Sequence, residues 1–403
     1  MFETLSDIFI GVAMKYLTAS DVEPSTSNQH EIGGLVKAGF AAKLGHPTDG
    51  NRIHFQATLA YIDDFDENTI ISEGTMTWYD SRSKTERNPE LRLYYQSNQV
   101  TNQLKESDFM VIALTNEQTL LLIFCPQGSN SEVQMRALFG ARSTAVANRL
   151  KKIQLNENSI ATPIRLLLSR YGIEIVQKRP NDESLTNILV KSFGGSFPKT
   201  RDFSTFARSI SDLPSAIDDP DAVLVGWMNN EEHIFRLFER HIVQQQIEQG
   251  FEDVEQFIRI SLSIQNRRKS RVGHAFENHI EEVLRQNKIT FERGVCTEGK
   301  QKPDFLFPGH LAYHDETFDR SRLRMLGAKT TCKERWRQVL AEANQIERKH
   351  LITLEPAVSS EQTNQMRDKG LQLVVPVVIQ TTYKPDQQEH LMSFKQFIAE
   401  LSS

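Results

Sequence analysis

The sequence has few cysteines, no long apolar run and no overall excess of basic residues. Its 403 residues include three cysteines, Cys125, Cys296 and Cys332, which lie far apart and show no CxxC or Cys/His ligand spacing. Neither a disulfide framework nor a structural zinc site is therefore supported. Because isolated, reduced thiols are typical of the cytosol, we expect a cytoplasmic protein.

The absence of long apolar runs argues against a membrane protein. The longest runs, at 119–125 and 373–379, have the length of strands, whereas a membrane-spanning helix needs roughly 18 apolar residues. The segment 1–17 is apolar, but Glu3 and Asp7 lie where a signal peptide carries basic residues. We therefore predict an amphipathic first helix and no membrane partner.

The charge balance argues against a nucleic-acid binder only when it is averaged over the whole chain. The 47 basic and 52 acidic residues give a net charge of −5, which is unfavourable for DNA binding through bulk charge. Basic residues nevertheless cluster at 82–92, 259–271 and 320–337. Phosphate backbones select such local stripes, although a charged run taken alone is more often a solvated face.

The apolar periodicity changes along the chain and predicts two domains. From 30 to 139, short apolar stretches alternate with a period of two, as in RIHFQATLAYI, which is typical of half-buried strands. Turn-forming residues in KRPNDES and FGGSFP then indicate a linker. We predict a mainly β domain over 1–172, a linker over 173–198 and an α/β domain over 199–403.

The second domain is expected to alternate helices with strands. Apolar residues at helical spacing predict helices over 230–248 and 273–287. The remaining segments, in chain order, are predicted as strands at 304–307, 323–329, 350–354 and 371–380, with a helix at 333–348.

The strongest chemical signal lies at the ends of two of these strands. Asp304 opens the first and Lys329 ends the second. A carboxylate and a lysine so placed can hold a divalent cation and a water beside a phosphodiester. In the common Asp…Asp/Glu-x-Lys arrangement a second acid lies two residues before the lysine, but that position is Gly327. Glu342 is the best replacement, and a helical wheel places it on the polar side of the 333–348 helix, away from the core.

These residues belong to motifs that resemble the EcoRII-type restriction endonucleases. The similar stretches are NRRKSR at 266–271, TEGKQKPDFLFP at 297–308, AYHD at 312–315, LRML at 323–326 and KTTCKERWRQVLAEA at 329–343. The resemblance implies a metal-dependent PD-(D/E)xK nuclease fold, with Mg²⁺ held by Asp304 and Glu342. It further implies that Lys329 is catalytic, that Glu277 is a supporting acid and that Tyr313 lies near the site.

Several residues of the C-terminal half are expected to contact DNA. The start of a helix can enter a major groove, where Lys or Arg reads guanine and Glu accepts from cytosine. Lys333 is either catalytic or base-reading, and its position on the helix favours base contact. The expected DNA-contacting residues of this half are Arg267, Arg268, Lys269, Arg271, Lys333, Glu334 and Arg335.

The N-terminal half is similar to the effector domain of the same family, a DNA-binding pseudobarrel related to plant transcription-factor domains. Two segments, 78–92 and 15–34, resemble its recognition arms; the less favoured alternative for residues 82–92 is an ordinary charged hairpin. The residues that the resemblance assigns to effector DNA are Lys15, His30, Arg82, Lys84, Arg87, Glu90 and Arg92.

The resemblance predicts a homodimer that cuts double-stranded DNA at a short, G·C-rich, near-palindromic site and is relieved of autoinhibition by a second copy of that site. An inactive, sequence-specific DNA-binding regulator is the alternative, and the presence of Asp304, Lys329 and Glu342 argues against it. A nucleotide cofactor is not expected. The stretch GAKTT has Ala328 and Leu323 where a phosphate-binding loop requires glycines.

Overall fold

The chain divides into two compact units, Met1–Gln177 and Lys178–Ser403. The computed structural model describes residues 4–22, 30–47, 50–63, 69–84, 87–141, 146–155, 164–165, 167–168, 171–173, 180–332 and 335–402. No helix in these ranges is long and apolar enough to cross a membrane.

The N-terminal unit is built on an eight-stranded sheet in the order β2-β5-β4-β3-β7-β6-β1-β8. Neighbouring strands are antiparallel except β3 and β7, which pair in parallel. The strands are β1 Phe9–Tyr16, β2 Glu31–Ile32, β3 Arg52–Tyr61, β4 Ile70–Asp80, β5 Leu91–Tyr94, β6 Phe109–Thr115, β7 Leu120–Cys125 and β8 Lys151–Ile153. Short helices accompany them at α1 Leu5–Ile8, α2 Ala19–Val22, α3 Ala41–Leu44 and α4 Asn130–Leu138.

The central strands of this sheet are buried on both faces. Every residue of β6 and β7 is buried, and along β1 Val12 and Met14 belong to one apolar core while Ala13 belongs to another. Strands covered on both sides read as continuous apolar runs, which explains the runs at 109–115 and 119–125. The same burial explains why the predicted first helix is wrong beyond Ile8: β1 pairs with both β6 and β8.

The C-terminal unit combines a five-stranded sheet with a layer of long helices. The sheet order is β13-β12-β11-β10-β9, in which β11, β12 and β13 are parallel and β10 and β9 antiparallel. The strands are β9 Glu292–Arg293, β10 Phe305–Phe307, β11 Arg324–Ala328, β12 Lys349–Ile352 and β13 Leu371–Val374. The helices are α5 Asp182–Phe193, α6 Thr200–Ser209, α7 Pro220–Gln249, α8 Val254–Gln286, α9 His310–His314, α10 Trp336–Leu340, α11 Ser360–Asp368, α12 Val377–Gln380, α13 Pro385–Gln388 and α14 Phe394–Ser402.

Each of the two long helices, α7 and α8, begins directly after an aspartate that caps its N-terminus. The Asp219 carboxylate accepts a hydrogen bond from Ala222 N at the start of α7, and Asp253 accepts one from Gln256 N at the start of α8. Both helices begin well before the predicted ranges 230–248 and 273–287, whose helical character is confirmed.

Three expectations about the C-terminal half need correction. The range expected to be a linker, 173–198, contains α5, whose Leu189 is fully buried in an apolar core with Phe203 and Phe238. The predicted strand 371–380 ends at Val374 and is followed by α12. The predicted helix 333–348 is, within the described residues, only α10.

Candidate active site

Asp304 and Lys329 come together because two neighbouring strands place them at the same edge of the sheet. Asp304 directly precedes β10 and Lys329 directly follows β11, and these strands are antiparallel with Phe305 opposite Leu326. Asp304 Oδ2 accepts hydrogen bonds from Lys329 Nζ at 2.8 Å and from Ala328 N at 2.7 Å. The lysine backbone is fixed in turn, since Lys329 N donates to Ile352 O on β12 at 3.0 Å.

Glu342 lies in the turn after α10 and not on its outer face. The helix ends at Leu340, and Ala343 has a φ of 48°, in the left-handed region. The helical wheel therefore does not apply at this position, and the predicted outward orientation is wrong. Glu342 Oε2 is buried and, among the described residues, has no hydrogen-bond partner.

The electrostatics show that Glu342 and Asp304 belong to one site. Burial and, to a smaller extent, the nearby Asp304 carboxylate together raise the pKa of Glu342 to about 7, against the opposing effects of Lys329 and Lys349. Two neighbouring carboxylates disfavour each other's ionisation, and a cation beside them offsets this effect. Asp304, Lys329 and Glu342, which the sequence singled out, therefore lie near one another.

The donor set fits a hard divalent cation. No group of three or more His, Cys, Asp or Glu side chains suited to a metal occurs among the described residues. Mg²⁺, however, is usually held by one or two carboxylates, with waters and substrate phosphates completing its coordination. The buried, unpartnered Glu342 Oε2 beside Asp304 is the kind of oxygen such an ion would satisfy.

Gly327, where the common arrangement has its second acid, is required by packing. A Cβ atom at this position would lie 2.9 Å from Cγ2 and 3.1 Å from Cγ1 of Val339, a fully buried residue of α10. Contacts this short are not tolerated in a well-packed interior. Because α10 covers β11 so closely, position 327 has no room for the side chain of a second acid.

Tyr313 contacts the turn that carries Glu342. Its hydroxyl donates a hydrogen bond to Glu298 and accepts one from Gln345 N at 3.1 Å. Burial and the Glu298 carboxylate raise the pKa of the Tyr313 hydroxyl well above its ordinary value, so it remains a neutral donor. The expectation that Tyr313 lies near the site agrees with this placement, which gives it a contact with backbone beside Glu342.

Two charged residues next to the site escaped the sequence reasoning. Glu298, within the similar stretch 297–308, accepts hydrogen bonds from Tyr313 and, at 3.2 Å, from Asn344 N. Lys349, on β12, donates from Nζ to Leu340 O at 2.8 Å and to Glu342 O. A lysine at the start of the apolar strand KHLI was the available signal for the second.

Glu277 is ion-paired with Arg293. Its Oε2 accepts from Arg293 Nη2 at 2.6 Å, and the same guanidinium binds Glu281 and Asn278. Arg293 lies on β9, next to the strand that Asp304 opens. The role of Glu277 as a supporting acid remains a prediction.

The basic run of α8 does not form a uniform DNA-facing stripe. Arg271 is 5 % exposed, binds the carboxylates of Glu231 and Glu232, and lies over the ring of Phe235. We therefore correct its assignment as a DNA contact, because its guanidinium is held in a buried ion pair. Of the other predicted contacts in this run, Arg268 is paired with Glu239 at 2.6 Å and Arg267 lies over the Phe197 ring at 4.2 Å. The side chain of Lys269 lies outside the described residues.

The segment expected to read bases is described only in part. Lys333 and Glu334 lie outside the described residues, while Arg335 is exposed at the residue preceding α10. The position of Arg335 leaves its guanidinium open to solvent.

In the N-terminal unit, part of the expected effector surface is tied into ion pairs. Arg82 and Arg92 both bind Glu90, and Arg92 also binds Glu31. Lys84 and Arg87, between β4 and β5, are exposed.

The opposing segment of that unit, 15–34, carries two predicted DNA contacts, and neither side chain is fully exposed. Lys15 is buried and paired with Asp21 at 2.5 Å, so its expected contact with DNA does not agree with its orientation in the structure. His30 is half-buried and stacks edge-on against Tyr95.

Comparisons with known proteins place the chain among restriction enzymes. Residues 235–398 match the family model described as EcoRII C terminal. The type II restriction enzyme EcoRII of Escherichia coli is 32 % identical over 398 residues, which cover 97 % of this chain and 94 % of that enzyme.

Two solved structures also show some likeness. Metal-depleted Ecl18kI in complex with uncleaved, modified DNA is 20 % identical, with a TM-score of 0.44, over 56 % of this chain and 84 % of that one. The complex of the restriction endonuclease PspGI with substrate DNA is 16 % identical, with a TM-score of 0.40, over 57 % of this chain and 96 % of that one.

Proposed function

The chain belongs to the EcoRII family of type II restriction enzymes, site-specific deoxyribonucleases, and from this we propose that Asp304, Lys329 and Glu342 form its DNA-cleaving centre. The observation that carries the proposal is their convergence: Lys329 Nζ lies 2.8 Å from Asp304 Oδ2, and the charges of both residues act on the buried carboxyl of Glu342. Family membership argues against the alternative of an inactive DNA-binding regulator.

The proposed reaction is in-line hydrolysis of a phosphodiester by water, leaving a 5′-phosphate and a 3′-hydroxyl. When bound by Asp304 and Glu342, Mg²⁺ would neutralise charge on the phosphate and lower the pKa of a water molecule. The Lys329 ammonium, held by Asp304 and by its own backbone hydrogen bond, would stabilise the charge that develops on the phosphate or orient the attacking water. Tyr313 would hold the backbone beside Glu342.

The exposed basic residues supply the DNA contacts of this proposal. Arg335 would read a guanine in the major groove of the target, with Lys333 and Glu334 beside it. We propose that the N-terminal unit is the pseudobarrel of this family. Its Lys84 and Arg87 would contact the phosphate backbone of a second DNA copy, the effector. Two copies of the chain would act as a homodimer, each cutting one strand.

Plasmid digestion tests the proposal directly. A sequenced plasmid is incubated with the protein in Mg²⁺, and the cut ends are mapped and tested for ligation. We expect breaks at a short G·C-rich near-palindrome, with 5′-phosphate ends. The variants Asp304→Asn and Glu342→Gln should lose cleavage but keep specific binding in Ca²⁺, with the exposed Glu347→Gln as the matched control. Equal loss of binding and cleavage would mean that these acids are structural.

A further inference from the structure

The turn that carries Glu342, residues 340–345, is held by hydrogen bonds to its backbone from two sides. The chain leaves α10 at Leu340 and passes through the left-handed Ala343. A short turn with this geometry does not by itself fix the direction of a buried side chain. The contacts that do so come from Lys349 on β12 and from Glu298 in the segment between β9 and β10.

Lys349 binds the start of this turn. Its side chain is almost completely buried, and burial lowers the pKa of its ammonium. Nζ donates to Leu340 O, the last residue of α10, at 2.8 Å, and to Glu342 O. Helix ends leave carbonyl oxygens without intrahelical donors, and a buried ammonium that reaches two of them fixes the path of the chain.

Glu298 binds the end of the same turn. Its carboxylate accepts from Asn344 N at 3.2 Å and from the Tyr313 hydroxyl, which itself accepts from Gln345 N. Burial opposes the charge, but these hydrogen bonds outweigh it and lower the pKa of Glu298. A lysine and a carboxylate therefore hold the backbone on the two sides of Glu342 without contacting its own carboxylate.

We propose that Lys349 and Glu298 are positioning residues for DNA cleavage, which hold the 340–345 turn so that the Glu342 carboxylate stays beside Asp304. The inference rests on the proposed function, since it assigns no chemistry of its own to either residue. Its basis is that the backbone on each side of Glu342 is bound, through Leu340 O before it and Asn344 N after it. Outer partners that orient ligands of a metal typically change metal affinity or activity by about 10- to 100-fold when they are removed.

The test measures metal affinity as well as cleavage in the full-length protein. Mn²⁺ binding to the enzyme in complex with its target duplex is measured by electron paramagnetic resonance, and cleavage by single-turnover rates in Mg²⁺. Lys349→Met and Glu298→Gln should each weaken Mn²⁺ binding by about tenfold or more and slow cleavage at fixed Mg²⁺. Target binding in Ca²⁺ should stay within about twofold. Arg348→Met, at the exposed neighbouring residue, is the control and should change neither quantity.

A double-mutant cycle separates positioning from general stability. If Lys349 acts through Glu342, adding Lys349→Met to Glu342→Gln should weaken Mn²⁺ binding no further. Unchanged Mn²⁺ affinity and cleavage in both single variants would overturn the inference, even if either variant melts at a lower temperature. Should Lys349→Met fail to fold, Glu298→Gln decides by the same two readouts. If Glu342→Gln itself cuts normally, the proposed active site fails instead.

Discussion

At the residue scale, burial separates charged side chains that stabilise the fold from those that are open to solvent. Arg271 and Arg335 both lie in basic runs, yet the first is held by Glu231 and Glu232 and the second is exposed. Sequence patterns count charges and cannot show which acids fold against them. For this reason the predicted stripe on α8 included a residue of the core.

Arg271→Ala should destabilise the protein without a direct effect on DNA. Removing one partner of a buried ion pair leaves uncompensated charge and costs about 3–5 kcal/mol in the free energy of unfolding. Urea unfolding should show this loss, whereas Arg259→Ala, at an exposed position of the same helix, should change stability by less than about 0.5 kcal/mol. The assignment is wrong if the variant stays as stable as the parent and its salt dependence of DNA binding falls by about one phosphate contact.

His350 should make stability depend on pH. It is fully buried on β12, facing Glu400 of α14 and Arg324 of β11, with Arg348 beside it. Burial, with help from the two arginines and against Glu400, lowers its pKa to about 4. The unfolded chain therefore binds a proton that the folded chain excludes, so stability present above pH 6.5 is lost as the pH falls towards 4.

The size of this effect can be isolated by subtraction. Between pH 7 and pH 5 the parent should lose about 2 kcal/mol more stability than His350→Gln, which cannot take up the proton. Unfolding curves followed by tryptophan fluorescence at each pH give the difference. Parallel pH profiles for parent and variant would show that His350 titrates normally in the folded protein.

In the candidate active site, too, only part of the geometry could be predicted from the sequence. Asp304 and Lys329 could be located from sequence because each directly flanks a strand, and strand ends are short-range features. The orientation of Glu342 could not, since the end of α10 after Leu340 depends on its packing and on contacts with Glu298 and Lys349. Glu298 is distant from α10 in the sequence, and Lys349 follows the helix on another element, the strand β12.

At the element scale, the close packing of α10 on β11 explains why position 327 is a glycine and not an acid. Apolar periodicity predicted that β11, β12 and a helix between them exist, and this is confirmed. It gave no measure of how near the helix lies to the sheet. That distance is limited by the contact of Gly327 with Val339, and it leaves no room for a side chain at position 327.

Gly327→Ala should therefore be destabilising, and relief should follow from shortening its neighbour. The added methyl would overlap Val339 and cost about 1–3 kcal/mol. In a Val339→Ala background the same substitution should cost at least about 0.5 kcal/mol less. Gly273→Ala, in the middle of α8 with no atom near the added Cβ, should instead stabilise by about 0.5–1 kcal/mol. Additive effects of the first pair in urea unfolding would refute the packing explanation.

At the scale of the whole molecule, the net charge of the acidic chain conceals local basic clusters in its two compact units. The net charge of −5 averages over both, while the basic clusters lie in separate segments of each. Composition and periodicity were sufficient to predict one mainly β unit and one α/β unit. They did not predict α5 or its place in the second unit, because breaker residues flank this helix on both sides.

The fragment 178–403 should cut DNA without the other unit. It contains Asp304, Lys329 and Glu342, together with the sheet and the Lys349 and Glu298 contacts that hold them. If effector binding relieves autoinhibition, the fragment should cleave a one-site plasmid faster than the full chain does. A short duplex carrying the site, added in trans, should accelerate the full chain but not the fragment. Circular dichroism verifies folding, and the Asp304→Asn fragment controls for contaminating nuclease. A folded fragment that leaves the plasmid intact would show that the N-terminal unit is needed for cleavage and does not restrain it.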